Sequence, residues 1–242
     1  SCFNEAGYRT GFIGKWHLWD GEDGPVPPEG RGGYRDWLAS NVPEFTSLPY
    51  RTTLYDGDGA AVTLPGYRSD AMVDAGIRYI DRHTRERPDE PFFLNLALIE
   101  PHHQNSTYDY TPPDGYREPY TGAWTPPDLA GLPGTTAQHL GGYWGAVKRV
   151  DEGFGRLNDA LKSLGLAENT IVLFASDHGC HFQTREGLDK RTWHESSIRI
   201  PAAFIGPGFR GGGHRAEPVN LPDLSATLLD AAGLAVPDSF QG

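Results

Sequence analysis

Phe92-Phe93-Leu94-Asn95-Leu96-Ala97-Leu98-Ile99 is the stretch from which the fold is read. Pro91 introduces this apolar run and Pro101 ends it, which marks a buried strand. Two further runs have the same character. Thr170-Ile171-Val172-Leu173-Phe174-Ala175-Ser176 is one, and Ile200 to Ile205, closed by Gly206-Pro207-Gly208, is the other. Runs without polar alternation suit a sheet covered on both faces. Helical patterns lie between them. Ser69 is placed to cap a helix carrying Met72, Val73, Ile77 and Ile80 on one face. A longer helix is predicted from about Gln138 to Leu164, with Val147, Val150, Phe154, Leu157, Leu161 and Leu164 spaced by three or four. Gly165 is positioned to end it. A last helix, about Pro222 to Ala232, stops at Gly233. Helices alternating with buried strands predict an α/β fold, a largely parallel central sheet flanked by helices, in one domain over 1–242.

Composition narrows the partners. The 242 residues suffice for one sizeable core, and the formal net charge of -11 argues against a nucleic-acid or anionic-membrane partner. An anionic substrate stays open, because a local basic pocket can outweigh the global field. No apolar run is long enough for a transmembrane helix. The start, Ser1-Cys2-Phe3-Asn4-Glu5-Ala6, has neither the basic nor the apolar region of a signal peptide, and the one Met is Met72. The sequence therefore reads as a piece of a longer protein. Cys2 and Cys180 leave a single disulfide open but make no disulfide scaffold. Trp19 to Tyr67 and Pro101 to Pro133, rich in Gly, Pro and aromatics, resist assignment and read as long functional loops.

In open α/β sheets, ligands sit beyond the carboxyl ends of strands. Glu100-Pro101-His102-His103 falls there, as does Asp177-His178-Gly179-Cys180-His181, with Lys190 a dozen residues on. Near the N-terminus, Gly14-Lys15-Trp16-His17-Leu18 sets an ammonium beside an imidazole in a short turn. Asp177 and His178 are metal candidates, and Gly179 permits the sharp turn they need. A carboxylate favours Ca²⁺ or Mg²⁺, while the imidazole leaves Mn²⁺ or Zn²⁺ open. Two donors do not make a tight site. Asp177 can equally cap a turn, and His178 can be a satisfied core histidine. Lys15, His17 and Lys190 suit a dispersed negative charge, and a histidine can protonate a leaving alkoxide. The same residues also suit a solvated surface lysine, a packing histidine and loop polarity.

Order along the chain joins these residues. Gly7-Tyr8-Arg9-Thr10-Gly11-Phe12-Ile13-Gly14-Lys15-Trp16-His17-Leu18 closely resembles the second signature of the sulfatases, in the alkaline phosphatase superfamily. Ser176-Asp177-His178-Gly179, Gly187-Leu188-Asp189-Lys190 and His194 to Pro201 resemble the metal-and-lysine block of the same family. Pro101-His102 falls where the family has a Pro-His, and Asn220 to Gly242 is similar to the helix closing its large domain. The resemblance implies an alkaline-phosphatase-like fold, N-terminally incomplete. It implies that Lys15, His102 and Lys190 bind the sulfate ester, with His102 at the leaving oxygen. His17 would orient a catalytic formylglycine hydrate. Asp177 and His178 would supply half of a divalent cation site, usually Ca²⁺. The substrate would be a sulfated small molecule or carbohydrate, and family habit suggests a periplasmic or secreted protein.

The family's nucleophile motif, Cys/Ser-x-Pro/Ala-x-Arg, is absent before Gly14. Ser47-Leu48-Pro49-Tyr50-Arg51 matches it but follows the Lys15 block, in the wrong order, and reads as a decoy. Gln183-Thr184 departs from the Gly and acid of many members. The leading expectation is a sulfatase fragment whose nucleophile lies upstream. The alternatives are a phosphonate monoester or phosphodiester hydrolase of the same superfamily, and a diverged binding protein without catalysis.

Overall fold

The computed structural model describes residues 1–21 and 23–241; Gly242, the last residue of the C-terminal match, lies outside them. In chain order the helices and strands are α1 (Cys2–Glu5), β1 (Arg9–Lys15), β2 (Asp36–Ser40), α2 (Pro43–Thr46), β3 (Arg51–Asp56), β4 (Ala61–Pro65), α3 (Arg68–Glu86), β5 (Phe92–Ala97), α4 (Thr136–Ser163), β6 (Val172–Ala175), α5 (Glu195–Ile198), β7 (Ala202–Ile205) and α6 (Leu221–Ala231).

Five strands form the central sheet in the order β4-β3-β2-β1-β5. β1 pairs in parallel with β2 and β5, and β3 pairs antiparallel with β2 and β4. All strands but β3 therefore run in one direction. β1 lies inside this sheet and is buried on both faces. Successive side chains point to opposite sides. Ile13 packs with Leu54, Met72, Ala75 and Ile80 beneath α3, while Phe12 packs with Val26, Trp37 and Ala39 on the other face. Gly14 has φ +115, and a Cβ there would sit 2.0 Å from the Ala97 carbonyl oxygen. The strand can pair this closely with β5 only because residue 14 has no side chain.

The structure corrects several expectations. Trp19 to Tyr67 is not one long loop, since it contains β2, α2, β3 and β4. Lys15 ends a strand instead of sitting in a turn. The run at 92–99 forms a strand only to Ala97, at a sheet edge and only partly buried. The runs at 170–176 and 200–205 do not join the parallel sheet. They pair antiparallel as β6 and β7, with Val172 opposite Ile205, in a separate two-stranded sheet. This pair is not covered on both faces: Phe174 contacts Phe154 of α4, whereas Ile205 is 46% exposed. Ser69 does not cap α3. Tyr67 holds that position without a side-chain bond, and Ser69 is buried with an unpartnered Oγ.

The other helices match their sequence signals. Gly165 (φ 72) and Gly233 (φ 72) follow the C-caps of α4 and α6. Asn220 and Asp223 close a capping box at the start of α6. Arg149 of α4 bonds Asp70 of α3 at 2.7 Å, and Arg156 pairs with Asp74, so the two helices are ion-paired along one side. Both cysteines are free thiols. Among the described residues, no helix is long and apolar enough to cross a membrane.

A Gly14→Ala change forces both a strained φ and a backbone clash. It is expected to cost at least about 2 kcal/mol of stability. Gly57→Ala, where a Cβ would meet nothing within 4 Å, is expected to stay within about 0.5 kcal/mol of the parent. Urea midpoints of the two variants check the contrast.

Candidate active site

The parallel pairing of β1 with β5 brings two functional segments to one end of the sheet. Lys15 closes β1, and the chain leaving β5 reaches His102 three residues after Ile99. The Lys15 ammonium meets the Glu44 carboxylate at 2.5 Å, and the Glu44 side chain is 3% exposed. Burial pushes the Glu44 carboxyl up, but the hydrogen bond and charge of Lys15 outweigh it and hold the group below its usual range. Glu44 sits on α2, which starts with Pro43 and carries an acid in its first turn. Sequence reasoning missed this residue, although Pro at the first helical position followed by an acid is a helix-start signal.

Behind this pair lies a buried polar chain. Gln104 Nε2 donates to the carbonyls of Glu44 (3.2 Å) and Ser47 (3.1 Å), while its Oε1 accepts from Arg68 Nη1 (3.0 Å). Arg68 Nε bonds Glu100 at 2.8 Å, and both side chains are almost fully buried. The 100–104 loop is thereby tied to α2 on one side and α3 on the other.

His102 Nδ1 lies 2.7 Å from the His103 carbonyl. A carbonyl only accepts, so Nδ1 carries the proton and Nε2 presents its lone pair. Burial lowers the imidazole to a pKa of about 4, the His103 carbonyl opposes this, and the charges of Lys15 and Lys190 lower it further. Both lysine charges therefore act on one ring. Lys190 is lowered too, first by burial and then by Lys15, with Asp177 and Glu44 working against the shift.

Asp177 and His178 follow β6. His178 Nδ1 is 2.9 Å from the Gly179 carbonyl, which leaves Nε2 to accept from Lys190 Nζ at 2.9 Å. Asp177 Oδ2 is 3.4 Å from the same Nε2, and its side chain is 77% exposed. Those two donors lie close enough to share one ion of ordinary ligand length. Among the described residues, no group of three or more His, Cys, Asp and Glu is gathered for a metal. Gly179 fits its turn for a steric reason, since a Cβ would fall 2.1 Å from the Ser196 carbonyl oxygen.

Lys190 ends a loop of unusual backbone. Phe182, Gln183, Glu186 and Arg191 all have positive φ. Gln183 (φ 55) takes the left-handed conformation that favours glycine. Tyr108 donates to the Asp189 carboxylate, with both oxygens at 2.6 Å, and so pins the residue before Lys190. Nothing in the sequence marked this link across more than eighty residues.

The remaining candidates fall outside the cluster. His17 is exposed at φ 49, its N–H bonds the Asn41 carbonyl at 2.7 Å, and its ring makes no hydrogen bond among the described residues. The Ser47 hydroxyl is consumed by β3: it accepts from Thr53 N (2.9 Å) and donates to Thr53 O (3.2 Å). With Ser47 only 4% exposed, this supports the decoy reading of Ser47–Arg51. The structure thus gathers Lys15, His102, Asp177, His178 and Lys190, and adds Glu44, but leaves the His17 ring apart.

Comparison with known proteins shows the family. The Sulfatase family model matches residues 1–234, and the chain belongs to that family. It is 30% identical over 255 residues to an ulvan-active sulfatase of Formosa agariphila, covering 99% of this chain and 47% of the relative. A solved structure of Bacteroides fragilis yidJ, assigned to the sulfatases, superposes with a TM-score of 0.81 at 25% identity, over 99% of this chain and 56% of that one. A protein solved with its substrate D-glucosamine-2-N,6-O-disulfate shares the fold at a TM-score of 0.68 and 21% identity, over 100% and 62% of the two chains. The chain spans about half the length of the relatives it matches.

The low His102 pKa carries a sign. In the unfolded chain the ring titrates near 6.5, in the folded protein near 4. Between those values the unfolded state binds more protons, so stability falls as pH drops through this window, by up to about 1.4 kcal/mol per pH unit. Above about pH 6.5 the contribution is complete. Urea midpoints between pH 7 and pH 4 are expected to show this slope, and His102→Gln is expected to flatten it.

Proposed function

We propose that this chain forms one wall of the active site of a sulfuric ester hydrolase acting on a sulfated carbohydrate. The observation that carries the reading is the approach of Lys15 and Lys190 to a half-buried His102 whose ring is shifted toward its neutral form. Two ammonium groups around one imidazole suit an anion whose charge is spread over several oxygens. The ester sulfate lies between Lys15 and Lys190, with its bridging oxygen toward His102 Nε2.

In this reading His102 must gain a proton before it can donate one. Burial and the two lysine charges hold the ring neutral; the bound anion offsets the lysine charges, so the imidazole takes up a proton from solvent more readily with substrate in place. It then passes the proton to the leaving alkoxide. Asp177 and His178 would hold a divalent cation, expected to be Ca²⁺, whose Lewis acidity polarises the sulfate oxygens. Lys190 uses the His178 Nε2 lone pair in the present arrangement, and ligation through that nitrogen leaves its ammonium free for a sulfate oxygen. The nucleophile, a formylglycine hydrate by resemblance, is assigned to a segment preceding Ser1, with His17 beside it. A periplasmic or secreted setting goes with this reading. The sulfated glucosamine bound by one fold relative and the ulvan-active sulfatase support a saccharide substrate.

The test uses the full-length protein carrying this chain. Lys15→Ala and Lys190→Ala are each expected to lower kcat/KM on an aryl sulfate about 10²–10³-fold. Ser47→Ala is expected to keep turnover within about threefold, as befits a hydroxyl with no part in the reaction. An aryl phosphonate is expected to turn over more slowly than the sulfate. Faster phosphonate cleavage, or turnover lost with Ser47, would overturn the reading.

A further inference from the structure

The Ser47–Arg51 turn is excluded as a nucleophile but is not idle. Leu48 and Arg51 exchange backbone hydrogen bonds at 3.0 Å each, which closes the turn. One side of that turn bounds an open cleft of about 270 Å³, near the lower end of the ~300–1,000 Å³ usual for ligand pockets. Its lining includes Phe45, Thr46, Leu48, Arg51, Gln104 and Ser106.

Three features of this cleft point to one kind of ligand. First, two of its lining residues carry unpartnered groups able to donate. The exposed Arg51 guanidinium has no hydrogen-bond or ion-pair partner among the described residues, in a chain where Asp and Glu outnumber Lys and Arg by 32 to 21. Thr46 Oγ1 is buried without a partner. Second, the nearest acid on α2, Glu44, already holds Lys15 and does not occupy Arg51. Third, the rim is apolar: Phe45 is 63% exposed and Leu48 51%. A planar guanidinium with a hydroxyl donor fits a carboxylate or sulfate group, and an exposed aromatic ring fits the C–H face of a sugar.

The position relates the cleft to the site. Glu44, the partner of Lys15, immediately precedes Phe45 and Thr46. Gln104 lines the cleft, bonds the Glu44 carbonyl at 3.2 Å, and lies two residues after His102. Gln104 therefore links the wall of the cleft to the loop that carries His102.

We propose that the cleft at Arg51 and Thr46 is a second anion subsite. It receives a carboxylate or a second sulfate on the sugar unit next to the one bearing the scissile ester. The proposal rests on the sulfate-ester reading of the Lys15–Lys190 site. In it Arg51 determines specificity: it selects polyanionic over singly sulfated saccharides and touches no reacting atom.

The test measures binding to the full-length protein by calorimetry. Three disaccharides share an N-acetylglucosamine 6-sulfate unit and differ in the neighbouring sugar, which is glucuronic acid, glucose 6-sulfate or neutral glucose. The parent is expected to bind at least one charged disaccharide about tenfold more tightly than the neutral one, and the stronger of the two identifies the group received. In Arg51→Gln the charged-to-neutral ratio is expected to fall to about one, and Arg51→Lys is expected to restore part of it. Thr46→Val is expected to lower the ratio by a smaller factor. An unchanged ratio in Arg51→Gln, equal affinities in the parent, or no binding of any of the three overturns the proposal. A Lys15→Ala control separates the two claims. If it leaves all three affinities unchanged, the sulfate-ester reading fails, whereas the Arg51-dependent ratio reports on the cleft alone.

Discussion

The close approach of Gly14 to the Ala97 carbonyl is the contact on which the site depends. It lets β1 lie tightly against β5 in parallel register, with Gly14 opposite Ala97. Parallel strands deliver their C-terminal ends to the same edge. Lys15 and the loop leading to His102 therefore emerge side by side, though they are far apart in sequence. Burial of β1 on both faces fixes the register, because a slip by one residue would exchange Phe12 and Ile13 between two different cores. The ammonium at position 15 is thus held by the whole sheet.

Electrostatics then shapes what that sheet presents. Each cation of the site has an internal acceptor: Lys15 has Glu44, and Lys190 has the lone pair of His178. Partial burial and the two lysine charges shift His102 toward its neutral form. An anion entering this space competes for groups that are already placed and partly desolvated, so little reorganisation is needed when it binds. The polar chain Gln104–Arg68–Glu100 supports the arrangement from behind. A buried ion pair of this kind adds little stability compared with an apolar substitute, but removing one partner strands a charge. Its evident effect here is to fix the loop that carries His102.

Much of this was legible in the sequence. The long helices declared themselves through regular apolar spacing and through glycines at Gly165 and Gly233 that accept positive φ. Lys15, His102, Asp177, His178 and Lys190 were found because their order along the chain resembles the sulfatases, and the structure places them at one locality. The strands between Trp19 and Tyr67 were hidden for a physical reason. They are short, and aromatic and charged residues break their alternation: Asp36 bonds Arg9 and Trp37 fills the second core. The antiparallel pairing of β6 with β7 was unreadable from apolar runs, which record burial tendency and carry no strand direction. Glu44 and the Tyr108–Asp189 link escaped because each depends on contacts between distant segments.

The central claim is that Lys15, Lys190 and His102 behave as one anion site. The direct measurement is the NMR titration of the His102 imidazole in the presence and absence of inorganic sulfate. The account predicts that the ring titrates near 4 without sulfate, and that saturating sulfate raises its pKa by offsetting the two lysine charges. Lys15→Ala should blunt that rise. An imidazole titrating at the same pH with and without bound sulfate would contradict the account.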